Sequence, residues 1–359
     1  CPLRLNLHLW ERACPRLAVA FRRTRTLTVS LKLAQYRGQA RSHTQLGENR
    51  RMKILVQSTG LDVVPGIIAE LKTHQPTWQY FAWPTDEPCD YVVGWKPPAE
   101  LFARQPTLKA VINYGAGVDA ILAMHAVPAH MPIVRLEDAG MAQQMAEYAV
   151  YGVIHHHRHM QIYHAQQRAV HWEQHEDRGN LKRPTVGVMG LGEMGGTVAA
   201  KLSAFGYAVR GWSRSQHEIE NVLCFAGHDT LPLFLSGCDV LVSMLPLTES
   251  TRGILNAATL AHLPRGAFLI NAGRGGHLVD ADVVAALASG QLGGAMLDVF
   301  HDEPLPKDHP YWTLPNVIVT PHIAATTPIR DACAQIVAKI SAMDRGEAVS
   351  GIVDPNIGY

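Results

Sequence analysis

The sequence is poor in the features that mark membrane and secreted proteins. No apolar run approaches the roughly 20 residues that a helix needs to span a bilayer, so we expect no membrane partner. No CxxC pair occurs, and the six cysteines are scattered at Cys1, Cys14, Cys89, Cys224, Cys238 and Cys333. This usage suits free thiols in a reducing compartment better than a disulfide framework, so we expect a cytoplasmic protein.

The sequence also lacks a large excess of either charge, since the formal net charge of the 359 residues is +1. The balance is uneven, however. Residues 1–51 carry eleven Lys and Arg against two acidic residues, a net charge of +9, which leaves −8 for the rest of the chain. An acidic body argues against nucleic acid as a partner of the whole protein.

Three interpretations of the basic segment 1–51 stay open. It is upstream sequence outside the working protein, with Met52 as the natural start, or an Arg-rich targeting segment, or a nucleic-acid-binding arm. A secretory signal is disfavoured because LAVAF (17–21) is too short for an apolar core and Arg22 interrupts it. We favour the first interpretation and expect a basic extension outside the fold.

From Met52 onward, short apolar runs alternate with helical stretches such as VPGIIAELK (64–72). The predicted strands of the first half are KILVQ (53–57), WQYFA (78–82), YVVGW (91–95), KAVINY (109–114) and PIVRL (132–136). This alternation predicts a small parallel α/β unit of flavodoxin-like type.

A long helical stretch, 140–160, precedes a second series of strands. These are TVGVMG (185–190), AVRGWS (208–213), DVLVSML (239–245), AFLIN (267–271), GAMLDVF (294–300) and NVIVTP (316–321). Helices fill the gaps, for example 280–290, from a capping Asp280 to a terminating Gly290. Six βα units in a row predict a doubly wound sheet of Rossmann type.

A last amphipathic helix, 329–346, is expected to cross back and pack on the first unit. The fold class is therefore α/β with two doubly wound parallel-sheet domains. We expect a substrate domain over 52–150, completed by 326–359, and a cofactor domain over 151–325.

The stretch VGVMGLGEMGGTVAAKLSAFG (186–206) places Gly190, Gly192 and Gly195 in G-x-G-x-x-G spacing between a predicted strand and a predicted helix. In this context the first glycine permits a tight turn, the second lets the backbone approach a pyrophosphate, and the third allows close helix–strand packing. The helix N-terminus then faces the anion. The motif predicts a dinucleotide cofactor.

The strand that follows ends in WSRS and so places Ser213 and Arg214 where an NAD site usually has an acid. An acid accepts hydrogen bonds from the ribose hydroxyls and would repel a 2′-phosphate, whereas a hydroxyl and a guanidinium suit one. We therefore predict NADP(H), with NAD(H) bound more weakly. The alternative is an arginine that is merely solvated.

Three more charged residues follow successive predicted strands of the second half. Arg274 lies in INAGRGG, Glu303 in FHDEPLP and His322 in VTPHIAA. Since such sheets bind ligands at the carboxyl ends of their strands, we expect these side chains to converge beside the cofactor.

The motifs GLGEMG, LPLTESTRGIL, NAGRG, AMLDVFHDEPLP and TPHIAA resemble those of the D-isomer-specific 2-hydroxyacid dehydrogenases. In the first half, YGAGVDAI (114–121) resembles the family's substrate-carboxylate loop, and the resemblance spans essentially 52–359. It implies a homodimeric enzyme that reduces small 2-oxo acids, such as glyoxylate and hydroxypyruvate, to D-2-hydroxy acids with NADPH. The rivals are another D-2-hydroxyacid dehydrogenase and a non-catalytic NAD(P)-binding regulator.

The resemblance also implies roles for individual residues. His322 would protonate the carbonyl oxygen, Glu303 would hold the imidazole, and Arg274 would bind the carbonyl and carboxylate oxygens. Substrate-carboxylate binding would fall to the backbone of Ala116, Gly117 and Val118. Further cofactor contacts are expected from Glu193, Met194, Leu245, Pro246, Thr251 and Asp298. Asp298 would meet the nicotinamide carboxamide, or else be a buried acid satisfied by backbone.

Two indoles, Trp95 and Trp312, are expected to wall the substrate cleft, which favours a short substrate side chain; the alternative is that they belong to the core. Where close relatives carry basic residues after WSRS, this chain has Gln216 and His217, so phosphate selectivity would depend on Ser213 and Arg214.

The segment 155–175 contains seven histidines, and pairs such as His155/His159 and His171/His175 have the i,i+4 spacing of helical zinc ligands. We favour a solvated helix face and linker, and predict no metal.

Overall fold

The structure is a computed structural model that describes residues 51–59, 62–124, 127–174, 182–354 and 358. The predictions for residues 1–50 and His175 lie outside this range. Two sheets, each entirely parallel, make up the fold, one of five strands and one of seven. The predicted fold class, two parallel-sheet α/β units, is confirmed.

The smaller sheet contains the five strands predicted for the first half. They are β1 (Lys53–Ser58), β2 (Gln79–Ala82), β3 (Tyr91–Trp95), β4 (Ala110–Asn113) and β5 (Ile133–Arg135). Their order is β2-β1-β3-β4-β5, the flavodoxin-like arrangement. The central strands β1, β3 and β4 are almost wholly apolar and buried, as expected of strands covered on both faces.

The larger sheet has one strand more than predicted. Its members are β6 (Thr185–Met189), β7 (Ala208–Ser213), β8 (Val222–Ala226), β9 (Val240–Ser243), β10 (Ala267–Asn271), β11 (Leu292–Leu297) and β12 (Val317–Val319). The order is β12-β11-β10-β9-β6-β7-β8, so the direction reverses between β6 and β9 as in a Rossmann fold. The prediction missed β8 because it is a short, half-buried edge strand that follows β7 closely.

Ten helices occur among the described residues. They are α1 (Val64–His74), α2 (Ala99–Arg104), α3 (Asp119–Ala123), α4 (Met141–His157), α5 (Met160–Arg168), α6 (Glu193–Ala204), α7 (Leu231–Leu235), α8 (Ala257–Leu260), α9 (Asp280–Ser289) and α10 (Ile329–Asp344). Short 3₁₀ turns lie at His228–Thr230, Gly275–His277 and Pro310–Trp312. No helix within the described ranges is long and apolar enough to cross a membrane.

Two helices determine how the chain passes between the two units. Along α10, Cys333, Ile336 and Ile340 are fully buried in the core of the five-stranded sheet, so the helix returns to the first unit as expected. Helix α4 joins the two units, because Met141 packs in that same core and Val153 packs on the seven-stranded sheet.

The start of α9 differs from the prediction. Asp280 is the first helical residue rather than the cap, and its carboxylate accepts a hydrogen bond from Tyr311 Oη at 2.9 Å. The predicted end is confirmed, since Gly290 has the left-handed φ of +72° that terminates the helix.

The solvated histidine face predicted after residue 154 is wrong for its first three members. His155 is 4% exposed, His156 stacks on Phe268 with ring centroids 4.8 Å apart, and His157 Nδ1 lies 3.2 Å from Tyr207 Oη. The helix pattern of the sequence could not show that this end of α4 lies against the sheet. Within the described ranges, no cluster of three or more potential ligands could hold a metal ion.

Burial of His156 makes the stability of the fold depend on pH. Burial, reinforced by the neighbouring His159, lowers the pKa of His156 from its usual 6.5 to about 4. Below pH 6.5, His156 therefore binds a proton in the unfolded chain but remains neutral in the folded state until the pH approaches 4. We expect the free energy of unfolding to fall by on the order of 3 kcal/mol through this group as the pH drops from 6.5 through 4.

Urea unfolding of His156→Phe at pH 7 and pH 4.5 checks this expectation, because phenylalanine keeps the stacking and cannot titrate. The variant should lose less stability between the two pH values than the wild type does. The exposed His171→Gln is the matched control and should behave like the wild type. Equal losses in all three proteins would contradict the assignment.

Candidate active site

The glycine loop connects β6 to α6 with the geometry that the motif predicts. Gly190 has a φ of +94°, which side chains rarely adopt. A Cβ on Gly195 would overlap the carbonyl oxygen of Gly190, whereas a Cβ on Gly192 would meet nothing within 4 Å. The loop is therefore packed tightly on its inner side and open above Gly192, at the N-terminus of α6. This open cradle fits the pyrophosphate of a dinucleotide.

Five of the other predicted cofactor residues lie in the two segments that adjoin this cradle. A Cβ on Gly190 would lie 3.1 Å from Leu245 Cα, which places the segment after β9 beside the loop. The carbonyl of Pro246 in that segment accepts a hydrogen bond from Thr251 Oγ1 at 2.7 Å. Glu193 and Met194 are the first two residues of α6, and Met194 packs against the core of the five-stranded sheet.

At the end of β7, the two residues that were predicted to bind a 2′-phosphate differ in their exposure to solvent. Ser213 is 7% exposed, and its hydroxyl donates to Ser215 O at 2.6 Å. Arg214 is exposed at the same edge of the sheet. Because a phosphate is an anion, the exposed guanidinium of Arg214 is the stronger candidate for it than the nearly buried hydroxyl of Ser213.

Glu303 and His322 lie in direct contact. Glu303 Oε2 is 2.7 Å from His322 Nδ1, and Glu303 Oε1 accepts the N–H of Phe300 at 3.0 Å. Burial alone would raise the pKa of Glu303, but the hydrogen bonds from His322 and Phe300, with the nearby charge of Arg274, hold the pKa of this carboxyl below its usual value. The pair is therefore a carboxylate held against one ring nitrogen, which leaves Nε2 of His322 for other chemistry.

Asp298 follows β11 and is 1% exposed. Its Oδ1 accepts hydrogen bonds from Thr320 Oγ1 at 2.7 Å and Ile323 N at 2.8 Å, and its Oδ2 accepts one from Ala324 N at 2.8 Å. The main-chain oxygen of Asp298 accepts the N–H of His322 at 2.9 Å. These contacts favour the second interpretation of Asp298, a buried acid satisfied largely by backbone, which here holds the loop that carries His322.

The strand end after β10 places Arg274 against the first unit. Its Nε donates to Asp119 Oδ1 at 3.0 Å, and its Nη1 donates to Gly273 O at 2.8 Å. A Cβ on Gly117 would overlap Arg274 Nη2, so the guanidinium lies directly over this glycine. The arginine thus reaches from the seven-stranded sheet to the predicted substrate-carboxylate loop.

That loop, Ala116 to Val118, connects β4 to α3. Asn113 holds it from below, with its amide nitrogen donating to Gly115 O and Gly117 O, both at 3.0 Å. Within the described part of the chain, the N–H groups of Ala116, Gly117 and Val118 have no acceptor. Three backbone donors beneath a guanidinium form a site suited to a carboxylate.

The two indoles differ in their surroundings. Trp95 ends β3, and a Cβ on Gly115 would lie 2.9 Å from Trp95 Cζ3, so this ring borders the carboxylate loop. Trp312 is 52% exposed, and its Nε1 donates to Pro306 O at 2.8 Å. The core alternative is therefore wrong for Trp312, while its place in a substrate cleft stays a prediction.

Sequence reasoning missed three residues that organise the site, namely Asp119, Thr320 and Asn113. Asp119 and Thr320 lie inside quoted motifs and Asn113 directly precedes one, but the partners of all three are set by the fold. Asp119 and Arg274 are 155 positions apart in the chain. The one available signal was position, because all three flank the loops that were assigned to substrate or proton transfer.

A methyl group at position 117 should displace Arg274, because the added Cβ would overlap Nη2 and lie 2.8 Å from Cζ. We expect Gly117→Ala to lower kcat/KM for the organic acid by about ten- to hundredfold, the scale of one charged hydrogen bond, without changing cofactor affinity. Steady-state kinetics and cofactor fluorescence titration measure the two quantities. Gly66→Ala is the matched control, since its Cβ meets only Ile329 Cδ1, at 3.6 Å.

Two parallel sheets, a glycine loop at the strand reversal and a Glu–His pair at neighbouring strand ends define a dinucleotide-dependent dehydrogenase of two α/β units. Residues 150–324 match the family model described as D-isomer specific 2-hydroxyacid dehydrogenase, NAD binding domain. The chain belongs to the D-isomer specific 2-hydroxyacid dehydrogenase family.

Individual relatives agree with this assignment. The glyoxylate/hydroxypyruvate reductase A of Serratia proteamaculans is 45% identical over 299 residues, which cover 81% of this chain and 95% of that protein. A family member from Xanthobacter autotrophicus, crystallised with NADPH and MES, is 41% identical with a TM-score of 0.81, covering 85% of this chain and 99% of the other.

An NADPH-dependent glyoxylate/hydroxypyruvate reductase from Sinorhizobium meliloti, crystallised with NADP and sulfate, is 36% identical with a TM-score of 0.79, covering 86% of this chain and 100% of the other. These findings confirm the family expected from the motifs and its likeness to glyoxylate/hydroxypyruvate reductase A. The prediction of NADP(H) agrees with the cofactors bound in both crystal structures.

Proposed function

We propose that this protein reduces small 2-oxo acids to D-2-hydroxy acids with NADPH. The observation that carries the proposal is the 2.7 Å contact between Glu303 Oε2 and His322 Nδ1, together with the guanidinium of Arg274, which follows β10 and lies over Gly117. A nucleotide-binding protein without catalysis needs none of these three charged groups.

NADPH supplies a hydride when it is bound, and the residues of the chain stabilise the charge that the reaction creates. The N–H groups of Ala116, Gly117 and Val118 bind the substrate carboxylate. Arg274 binds the keto oxygen and polarises the carbonyl bond. His322 donates a proton from Nε2 to that oxygen as negative charge develops on it, while Glu303 stabilises the charged imidazole through Nδ1.

Glyoxylate and hydroxypyruvate are the proposed substrates. Support comes from the activity after which the Serratia and Sinorhizobium relatives are named, and from the indole of Trp95 beside the carboxylate loop, which favours a short side chain. The substrate domain would comprise 52–150 with 326–359, and the cofactor domain 151–325, with the boundary inside α4.

A panel of 2-oxo acids, each tested with NADPH and with NADH and followed at the nicotinamide absorbance, tests the proposal. We expect the highest kcat/KM for glyoxylate or hydroxypyruvate with NADPH, and weak turnover of acids with large aryl side chains. Binding of NADPH without oxidation by any member of the panel would instead indicate a non-catalytic regulator.

We also propose a homodimer. Large apolar side chains are exposed on and just after α4 and α5, namely Tyr151 at 53%, Val170 at 95% and Trp172 at 94%, and a second copy would cover them. Light scattering of the purified protein measures the mass in solution, and a monomer would contradict this proposal. The cytoplasmic location stays a prediction.

A further inference from the structure

The partner of Arg274 is a residue to which the proposed mechanism gives no role. Asp119 is the first residue of α3, directly after the carboxylate loop, and its Oδ1 accepts the Nε–H of Arg274 at 3.0 Å. Both side chains are about three-quarters buried, with 25% of Arg274 and 28% of Asp119 exposed. The contact joins the two units of the fold at the proposed substrate site.

The contact decides which edge of the guanidinium remains for the substrate. An arginine has five N–H donors in a fixed plane. In this structure Nε donates to Asp119 and Nη1 donates once to Gly273 O, so three donors remain on Nη1 and Nη2. The Nη1–Nη2 edge, with Nη2 over Gly117, is a two-pronged donor that matches a pair of neighbouring oxygens.

We propose that Asp119 is a positioning residue that turns the Nη1–Nη2 edge of Arg274 toward the keto and carboxylate oxygens of the substrate. The inference rests on the proposed function and deepens it. Asp119 does not touch the substrate; it acts by occupying Nε, so that the guanidinium cannot rotate its Nε–Nη2 edge into the site.

The charge of Asp119 makes the direction of the change in substrate affinity informative. A carboxylate beside an anion site repels an anionic substrate, so a residue that contributed only charge would weaken substrate binding, and its removal would tighten it. A positioning residue has the opposite effect, because its removal releases Arg274. Asp119→Asn tests this directly, since the amide loses the charge but keeps an oxygen that can accept from Nε.

The experiment compares the wild type with Asp119→Asn and Asp119→Ala. We expect Asp119→Ala to lower kcat/KM for the best 2-oxo acid by about ten- to hundredfold, and Asp119→Asn to recover part of that loss. The dissociation constant of oxamate, an unreactive 2-oxo acid analogue, should rise in parallel in the presence of NADPH. NADPH affinity should not change, and both variants should remain folded at the assay temperature by circular dichroism, which separates positioning from damage to the fold.

A double-mutant cycle with Arg274→Lys completes the test. Lysine offers a single ammonium instead of a planar edge, so Asp119→Ala should cost less than about twofold in that background. Additive losses, or tighter oxamate binding by Asp119→Asn, would overturn the inference. Failure of the proposed function has a different signature, because the wild type itself would then reduce none of the acids.

Discussion

Replacing His322 by asparagine is expected to lower kcat for 2-oxo acid reduction by about 10²- to 10⁴-fold, the usual contribution of a positioned general acid. Asparagine keeps a polar group near Glu303 and tolerates the positive φ of this position, +54° in the structure. The loss should therefore reflect the missing proton rather than a refolded loop. The dissociation constant of NADPH, measured by fluorescence, should remain within about twofold of the wild type.

The same pair predicts a pH profile. The pKa of Glu303 lies below its usual value, because the hydrogen bonds from His322 and Phe300 and the charge of Arg274 favour its carboxylate, so this group stays charged throughout the neutral range. The reductive rate should therefore hold as the pH falls to the ordinary range of a carboxyl group, and drop only below it, where Glu303 takes up a proton. Glu303→Gln has no carboxylate to protonate, so its rate should be lower at neutral pH and should lack this drop.

Asp302→Asn is the matched control for Glu303→Gln, because Asp302 is the preceding, exposed acid of the same loop. Its profile should follow that of the wild type. If Glu303→Gln has the wild-type profile too, Glu303 takes no part in proton transfer, and the 2.7 Å contact serves only to fix the loop.

The sequence predicted those parts of the molecule that depend on local pattern. The apolar runs located eleven of the twelve strands found among the described residues, and the glycine spacing located the cofactor loop. The missing strand, β8, is a half-buried edge strand whose pairing with β7 depends on the fold rather than on its own composition. Hydrophobic periodicity carries little signal for such a strand.

The contacts between distant residues were predicted only in outline. That Arg274, Glu303 and His322 would share one edge followed from the parallel order of their strands. The orientation of Arg274 did not, because it depends on Asp119 in the other unit. Asp298 shows the same limit, since its Oδ1 accepts from Thr320 and Ile323 and its Oδ2 from Ala324. Only the path of the loop after β12 brings these residues together.

The preference for NADPH should depend chiefly on Arg214. A guanidinium binds the extra phosphate of NADPH through charged hydrogen bonds, each contributing roughly 1.5–3 kcal/mol, or about ten- to hundredfold in affinity. Ser213 is the other candidate, but its hydroxyl already donates to Ser215 O at 2.6 Å. We therefore expect Arg214→Ala to lower the ratio of kcat/KM for NADPH over NADH by about ten- to hundredfold.

The substitution should lower kcat/KM for NADPH and leave kcat/KM for NADH nearly unchanged, because NADH lacks the phosphate that Arg214 would contact. In the wild type, added salt should weaken NADPH binding more than NADH binding, and Arg214→Ala should remove this difference, since exposed charges are screened. Arg345→Ala, which removes an exposed arginine paired with Glu347, controls for the loss of one positive charge from the surface. The assignment is wrong if Arg214→Ala and the Arg345→Ala control have the same ratio of kcat/KM for NADPH over NADH. Backbone N–H groups after β7 would then hold the phosphate, and the protein would select its cofactor by the shape of that loop rather than by charge.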